Sequence, residues 1–153
     1  MRVHHLNCGT MTPRVVGRLE AHVLLCESDD GLVLVDSGFG LDDIADPAGR
    51  LGPVRHLLQA ALDPTETAAH QVNALGFDVA DVQHIVLTHL DLDHVGGISD
   101  FPDAVIHTTA AEHRAAMVSP GLREKQRYRP AQWAHGPMMH TYDGPGEPWH
   151  GFA

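Results

Sequence analysis

The first third of the chain contains short apolar runs separated by polar turn residues. Residues 23–25 form one compact apolar run within the segment 19–26, and residues 32–35 form a second. Aspartate and glycine at residues 29–31 favour a turn between the two runs. We therefore predict two buried strands that pair as a β-hairpin.

Residues 40–63 are rich in aspartate, glycine and proline, a composition that predicts a surface loop with one short helix. A helix start follows at residues 63–66, which read Asp-Pro-Thr-Glu. The aspartate can cap the helix, the proline suits its first position, and the glutamate stands where a capping-box acid would. We predict a helix from this start to about Leu75, ended by Gly76.

Strands and helices alternate in the next part of the chain. The apolar segments at residues 84–88 and 104–107 each predict a strand. Thr109 and Glu112 have capping-box spacing and predict a helix that continues to about Val118. This alternation indicates a layered α/β or α+β domain.

The hydrophobic periodicity fades beyond Ser119. Residues 119–153 hold five of the ten prolines, both tryptophans and both tyrosines, which predicts a long loop excursion over the surface, such as a lid, rather than core. Its large apolar side chains either line a wall for an acyl chain or pack the loop onto the domain, and we favour packing: Trp133, Met138, Met139 and Trp149.

The densest group of chemically active side chains follows directly after the strand predicted at residues 84–88. The segment 88–97 reads THLDLDHVGG and supplies four potential metal ligands: His89, Asp91, Asp93 and His94. In an extended chain the first three side chains project to one side, while the intervening leucines project to the other and pack in the core. The two glycines permit a tight turn that brings the second histidine to the same point.

Two aspartates this close together would repel each other in a partly buried pocket unless a cation lies between them. Imidazole nitrogen combined with carboxylate oxygen suits Zn, Fe, Mn or Co. The alternative is a polar turn in which Asp93 caps a helix starting near Val95. That alternative leaves both histidines and the alternating leucines unexplained, so we favour a metal centre.

Composition narrows the functional classes. The 153 residues suffice for one domain with a core, and a formal net charge of −10 argues against nucleic acid as a partner. No apolar run approaches the roughly 20 residues of a membrane helix, and the N-terminal sequence lacks a secretory leader. We therefore expect a cytoplasmic protein without a membrane partner. Cys8 and Cys26 are too few for a disulfide scaffold, and we expect two reduced thiols.

The motif HLDLDH followed by GG resembles the HxHxDH signature of the metallo-β-lactamase superfamily. Residues 33–38, VLVDSG, resemble the VDTG segment at a strand end that precedes this signature in the family. The order of the predicted elements also agrees over residues 1–118. The stretches HHLNCGTM and THLDLDHVGGISDFP are most similar to the lactonase-like branch of the family.

The resemblance implies an α+β fold, the αββα sandwich of this family, with two divalent metal ions at one edge. By position, His89 and Asp91 would bind the first ion, and Asp93 and His94 would bind the second. Asp93 would also hold the bridging water and act in catalysis. Asp36 would lie either behind the ligands or in a plain strand-end turn. Zinc is the expected metal, with iron or manganese as alternatives.

Two departures from the family pattern matter. Asp91 stands where the family has its second histidine, and this harder ligand extends the plausible metals toward iron and manganese. The later ligands of the family, which include a glycine-histidine-serine/threonine turn, have no match, because His135, His140 and His150 lack that context. We therefore expect residues 1–153 to form a single domain that is truncated at its C-terminus and holds about half of the sandwich.

The resulting hypothesis is a metallo-hydrolase that uses metal-activated water on a small carbonyl ester, with a lactone as the preferred substrate. The alternatives are an iron-dependent oxidoreductase of the same fold and an inactive metal-binding fragment. We expect a small-molecule substrate as the partner. An exposed sheet face would also favour a homodimer.

Overall fold

The computed structural model describes residues 1–28, 31–144 and Trp149. Across these residues, six strands form one mixed sheet whose spatial order follows the chain. The strands are β1 (Arg2–Met11), β2 (Leu19–Ser28), β3 (Gly31–Val35), β4 (Val82–Val86), β5 (Val105–Thr109) and β6 (Met139–Tyr142). β1, β2 and β3 pair antiparallel, whereas β3, β4, β5 and β6 pair parallel.

Short helices connect these strands. In the described ranges the α-helices are α1 (Leu41–Ala45), α2 (Pro47–Arg50), α3 (Arg55–Leu58), α4 (Ala68–Ala74), α5 (Leu92–Val95), α6 (Ala110–His113) and α7 (Glu124–Arg127). The 3₁₀ turns are Gly52–Val54, Pro64–Glu66, Val79–Asp81, Gly96–Asp100 and Pro130–Trp133, and the π-type segment Arg114–Val118 continues α6. No helix in these ranges is long and apolar enough to span a membrane.

The hairpin predicted from the two apolar runs is confirmed. β2 and β3 pair antiparallel, with Cys26 opposite Val33, and the turn residues 29–30 lie outside the described residues. β1 has no counterpart among the predicted elements, because its histidines and asparagine interrupt the apolar alternation. β1 extends the hairpin into a three-stranded antiparallel region.

The main hydrophobic core lies between one face of the sheet and the helices. The strands contribute alternate residues to it, including Leu25, Leu34 and Ile85, as expected for a sheet with one covered face. Val72 of α4 and Ala116 of the π-type segment pack against these side chains. Both cysteines are free thiols, as predicted, and both are buried.

The parallel pairing of β3 with β4 places the ends of these two strands side by side. Val35 lies opposite Val86, and the amide of Asp36 donates to the carbonyl oxygen of Val86 at 2.9 Å. The loops that follow the two strands therefore begin in contact with each other. These loops carry the VDSG segment and the HLDLDH motif.

The helix predicted after residue 63 begins later than expected. Asp63 caps only the 3₁₀ turn Pro64–Glu66, and Thr67 is the cap of α4. Glu66 does not complete a capping box, because its carboxylate accepts hydrogen bonds from the amide and hydroxyl of Thr10. The tertiary contact between Glu66 and Thr10 therefore takes the place of the capping box that the local sequence predicts.

Other predicted elements also differ from the structure in detail. Residues 40–63 contain α1, α2 and α3 rather than one short helix. The strand predicted at residues 84–88 ends at Val86. A helix does begin after Thr109, but Glu112 does not complete its capping box, because the Glu112 carboxylate accepts a hydrogen bond from the amide of Leu90.

Residues 119–144 contain α7, a 3₁₀ turn and β6, so this part of the predicted loop excursion includes short regular elements. Tyr128 and Gln132 are buried, with 3% and 0% exposure, which the fading periodicity does not indicate. Trp133 and Met139 pack partly buried against the main core. These contacts agree with the packing interpretation for Trp133 and Met139, whereas Met138 is 68% exposed.

Candidate metal centre

The four predicted ligands lie between the end of β4 and the first turn of α5. His89 is in the irregular segment after β4, Asp91 is the N-cap of α5, and Asp93 and His94 lie within the helix. The predicted alternation along an extended chain is therefore wrong beyond Asp91, because the helix begins at Leu92. The motif is a strand-to-helix turn.

Both leucines of the motif are buried, as predicted, but its glycines serve close packing rather than a tight turn. A Cβ atom at Gly96 would lie 2.1 Å from Oδ2 of Asp43. A Cβ atom at Gly97 would lie 2.6 Å from the carbonyl oxygen of Ser37. The segment after His94 can approach the loop after β3 because both positions lack a side chain.

Asp36 lies directly behind the motif, in the loop that follows β3. It is 4% exposed, and its backbone φ of 62° lies in the left-handed region, which aspartate tolerates better than most residues. Its Oδ1 accepts from the amide of Thr88 at 2.8 Å, and its Oδ2 accepts from Nδ1 of His94 at 2.9 Å. Of the two interpretations left open by the sequence, the structure favours a position behind the ligands.

One chain of hydrogen bonds assigns the tautomers of both histidines. Nδ1 of His94 and the hydroxyl of Thr88 both donate to Oδ2 of Asp36. The same hydroxyl oxygen accepts from Nδ1 of His89, 2.8 Å away. In the neutral form of each ring, a proton on Nδ1 leaves the lone pair on Nε2, and this tautomer is the one that binds metals through Nε2.

Both free Nε2 atoms face carboxylates. Nε2 of His89 lies 3.3 Å from Oδ2 of Asp91, and Nε2 of His94 lies 3.6 Å from Oδ2 of Asp93. The centroids of the two imidazole rings are 4.0 Å apart. The structure therefore brings the four residues together as two imidazole–carboxylate pairs, with 23–31% of each side chain exposed.

These donors fit a divalent transition-metal ion in kind, since they comprise two imidazoles and two carboxylates. Their arrangement is incomplete as a shell. Within residues 1–28 and 31–144, no group of three or more histidine, cysteine, aspartate or glutamate side chains could hold a metal ion. The motif therefore supplies part of a coordination shell, and other ligands or water would have to complete it.

The carboxylates around His94 create a negative potential at the motif. Burial by itself lowers the pKa of His94, but the hydrogen bond and charge of Asp36 and the charges of Asp93 and Asp91 outweigh burial and raise it. The same potential favours the approach of a cation to Nε2 of His94.

Arg127 of α7 also reaches the motif, although no spacing in the sequence relates it to the predicted ligands. Its Nε lies 2.5 Å from Oδ1 of Asp91, and its Nη2 lies 2.7 Å from Oδ2, so the ion pair is bidentate. Asp91 raises the pKa of Arg127 further above its ordinary value. Residues 123–129 contain four basic residues, but no sequence pattern distinguishes Arg127 from the others.

Tyr128 ties α7 to the backbone of the motif. The Arg127 guanidinium carbon lies 4.8 Å from the centroid of the Tyr128 ring. The Tyr128 hydroxyl donates to Oε1 of Glu112 at 2.8 Å, and the same oxygen accepts from the amide of Leu90 at 2.9 Å. Burial and the hydrogen bond and charge of Glu112 raise the pKa of Tyr128 to about 12, so the hydroxyl remains a donor at neutral pH.

A buried polar network supports the segment that follows His94. Asp43 of α1 is fully buried, and its Oδ1 accepts from Nε of Arg50 at 3.0 Å and from Gln132 at 2.9 Å. Arg50 also donates from Nη2 to the carbonyl oxygen of Gly96 at 3.1 Å. The network therefore connects α1 and the 3₁₀ turn Pro130–Trp133 to the end of the motif.

The later histidines lie elsewhere in the part of the chain that the structure describes. His140 on β6 contacts His107 and Tyr142, with ring centroids 5.9 Å and 4.7 Å away. His135 is largely exposed. The part of its ring that is shielded from solvent, together with the charge of Arg50, lowers its pKa. His150 lies outside the described residues.

Comparison with known sequences identifies relatives of the chain. The sequence model of the metallo-beta-lactamase superfamily matches residues 16–152. A probable metallo-hydrolase of Mycobacterium tuberculosis is 58% identical over 153 residues, which cover 100% of this chain and 49% of the relative. The N-acyl homoserine lactonase AttM of Rhizobium johnstonii is 38% identical over 88 residues, which cover 58% of this chain and 34% of the relative. The chain spans about half the length of the first relative.

Solved structures share the fold. A complex of Bacillus thuringiensis AiiA with N-decanoyl-L-homoserine at its active site has a TM-score of 0.73 and 18% identity, and the match covers 95% of this chain and 60% of that chain. A dizinc quorum-quenching lactonase, AidC, has a TM-score of 0.58 and 19% identity, with 86% and 46% covered. These matches confirm the predicted α+β fold, of which this chain spans part.

Proposed function

Because the chain belongs to the metallo-beta-lactamase superfamily, we propose that the protein is a metal-dependent hydrolase of small carbonyl esters, with a lactone as the preferred substrate. One observation carries the proposal. The Nε2 atoms of the two motif histidines each face a carboxylate within 3.6 Å, while each Nδ1 atom is engaged by a hydrogen bond behind the motif. A buried aspartate holds this arrangement in place.

In this proposal, His89, Asp91, Asp93 and His94 hold up to two divalent ions, with zinc favoured over iron and manganese. When bound, such ions supply an activated water and polarise the substrate carbonyl. Asp93 orients the attacking water, accepts its proton and passes that proton to the leaving alkoxide. Asp36 and Thr88 keep both Nδ1 atoms protonated, so both Nε2 atoms stay directed at the ligand position.

The choice of substrate rests on the relatives. The AttM proteins are N-acyl homoserine lactonases, and three of the solved neighbours are complexes with an N-acyl-L-homoserine. The net charge of −10 disfavours polyanionic substrates. The iron-dependent alternative depends on Asp91 as a hard ligand, and the ion pair of Asp91 with Arg127 weakens that argument.

The test is hydrolysis of N-hexanoyl-homoserine lactone by the full chain, first stripped of metal and then supplied with zinc. We expect activity only with zinc, and a loss of about 100-fold or more in kcat/KM for His89→Ala and for His94→Ala. His56→Ala, on an exposed position of α3, is the matched control and should retain the parent rate within about twofold. Unchanged rates in both motif variants would refute the proposal.

A further inference from the structure

We propose that Arg127 competes with a divalent ion for Asp91, so that the ion position formed by His89 and Asp91 fills only when the Arg127 side chain is released. This inference rests on the proposed metal-binding function. It adds a residue from outside the motif that controls how many ions the centre holds. It also separates the motif into a His89 end, with Asp91, and a His94 end, with Asp93.

The geometry of the ion pair carries the inference. Both oxygens of Asp91 are engaged by the same guanidinium, at 2.5 Å and 2.7 Å. A planar guanidinium matches a carboxylate in this two-pronged manner and stays protonated at all physiological pH values. A cation on Asp91 would have to displace one of these contacts or lie close to a like charge, and both alternatives weaken its binding.

The position of Arg127 is supported by its neighbours. Its guanidinium carbon lies 4.8 Å from the centroid of the Tyr128 ring, and Tyr128 is 3% exposed. The Tyr128 hydroxyl shares Oε1 of Glu112 with the amide of Leu90, which lies inside the motif. Apart from Asp91, the guanidinium therefore contacts an aromatic ring whose own position is fixed by Glu112, which also binds the backbone of the motif.

The His94 end lacks such a competitor. Asp93 faces Nε2 of His94 at 3.6 Å, and within the described part of the chain no lysine or arginine forms an ion pair with it. We therefore expect two unequal ion positions. The His94 end should bind at low ion concentration, and the His89 end should bind only at a concentration high enough to displace Arg127.

The experiment is calorimetric titration of zinc into the metal-free full chain. We expect Arg127→Gln to bind the weaker zinc equivalent at least about tenfold more tightly than the parent chain, or to gain an equivalent that the parent lacks. Arg123→Gln removes an exposed positive charge one turn away in the same segment and should leave the binding curve unchanged. Equal zinc binding by the parent and Arg127→Gln would overturn the inference.

Two further variants separate competition for Asp91 from a general loss of positive charge or of folding. Arg127→Lys keeps the charge and should bind the weaker zinc equivalent no more than about threefold more tightly than the parent. In an Asp91→Asn background, Arg127→Gln should have no effect on zinc binding, because the shared carboxylate is gone. A tighter second equivalent in that double variant would overturn the inference, since the effect would not pass through Asp91.

The failure of this inference differs from the failure of the proposed function. If the parent chain and Arg127→Gln both bind zinc with the same affinities, only the role of Arg127 is refuted. If neither binds zinc at millimolar concentration while both show the same cooperative thermal unfolding, the metal centre itself is refuted, and the inference falls with it.

Discussion

The two ends of the HLDLDH motif have the same kinds of side chain but different support. At the His94 end, a carboxylate that is only 4% exposed accepts the Nδ1 proton directly, and a buried network of Asp43, Arg50 and Gln132 lies beneath the next turn. At the His89 end, the Nδ1 proton goes to a hydroxyl, and the neighbouring Asp91 pairs with Arg127 of a later helix.

This difference shows that residues within five positions of each other can depend on different parts of the fold. The His94 end is positioned by the loop after β3 and by α1, both early in the chain. The His89 end depends on α7, whose Arg127 lies 36 residues after Asp91. Each of the following variants acts mainly on one end or on its support.

The largest effect is expected from Asp43→Ala, which acts on the support of the His94 end. The variant leaves Arg50 buried without its partner, so we expect the free energy of unfolding to fall by about 3–5 kcal/mol. Urea denaturation followed by circular dichroism measures this change. Asp42→Ala, at the adjacent exposed position of α1, should cost less than about 0.5 kcal/mol, and a similar loss in both variants would contradict the buried network.

Asp36→Asn should weaken zinc binding at the His94 end by about 10- to 100-fold. The amide keeps the size of the carboxylate but removes its charge, so Nδ1 of His94 loses its strong acceptor. Calorimetric titration measures the tighter zinc equivalent, and the exposed Asp103→Asn is the control for loss of one negative charge. Equal binding by Asp36→Asn and Asp103→Asn would show that Asp36 does not orient the ligand.

Thr88→Val should act mainly at the His89 end, where it removes the acceptor of the His89 Nδ1 proton. We expect zinc binding at the His89 end to weaken by about tenfold, while the His94 end keeps its direct bond to Asp36. Thr88→Ser retains the hydroxyl and should restore the parent affinity. Equal losses of zinc affinity at both ends in Thr88→Val would contradict the difference between the two ends.

The smallest effect concerns Asp100, at the end of the 3₁₀ turn that follows the His94 end. Burial, then the charges of Asp42 and Asp43, raise its pKa to about 6, against the opposing effects of the Leu41 amide and Arg50. The folded chain therefore binds more protons than the unfolded chain between about pH 4 and pH 6, and this group makes stability fall as pH rises through that window.

Asp100→Asn does not titrate, so it should abolish that part of the pH dependence. We compare the free energy of unfolding of the variant with that of the parent at each pH. This difference should favour the variant by about 1 kcal/mol more at pH 7 than at pH 4, after allowance for partial solvent screening. Urea denaturation at both pH values measures the difference. An identical pH dependence in parent and variant would contradict the raised pKa of Asp100.

The local patterns of the sequence predict part of this structure. Apolar runs predict β2, β3, β4 and β5 to within two or three residues, because each is a short buried strand between turn residues. A capping box is predicted wrongly where its acidic side chain makes a tertiary contact instead. Glu66 and Glu112 are examples, since their carboxylates hold the backbone of distant segments instead of their own helix starts.

The candidate site divides in the same way. The four motif residues can be identified from the sequence, because four potential metal ligands stand within six consecutive positions. The contacts of Arg127 and Gln132 with the site cannot be predicted from the sequence, because these residues reach it only when residues 119–144 fold back over the motif and α1. The roles of the four residues as ligands, and the predicted homodimer, stay predictions.

The most direct test of the metal centre is anomalous diffraction at the zinc absorption edge from crystals of the full chain grown with zinc. We expect an anomalous peak within bonding distance of Nε2 of His94 and a carboxylate oxygen of Asp93, with a weaker peak or none at His89 and Asp91. Crystals that contain zinc only at other sites, with the two Nε2 atoms directed away from each other, would contradict this expectation.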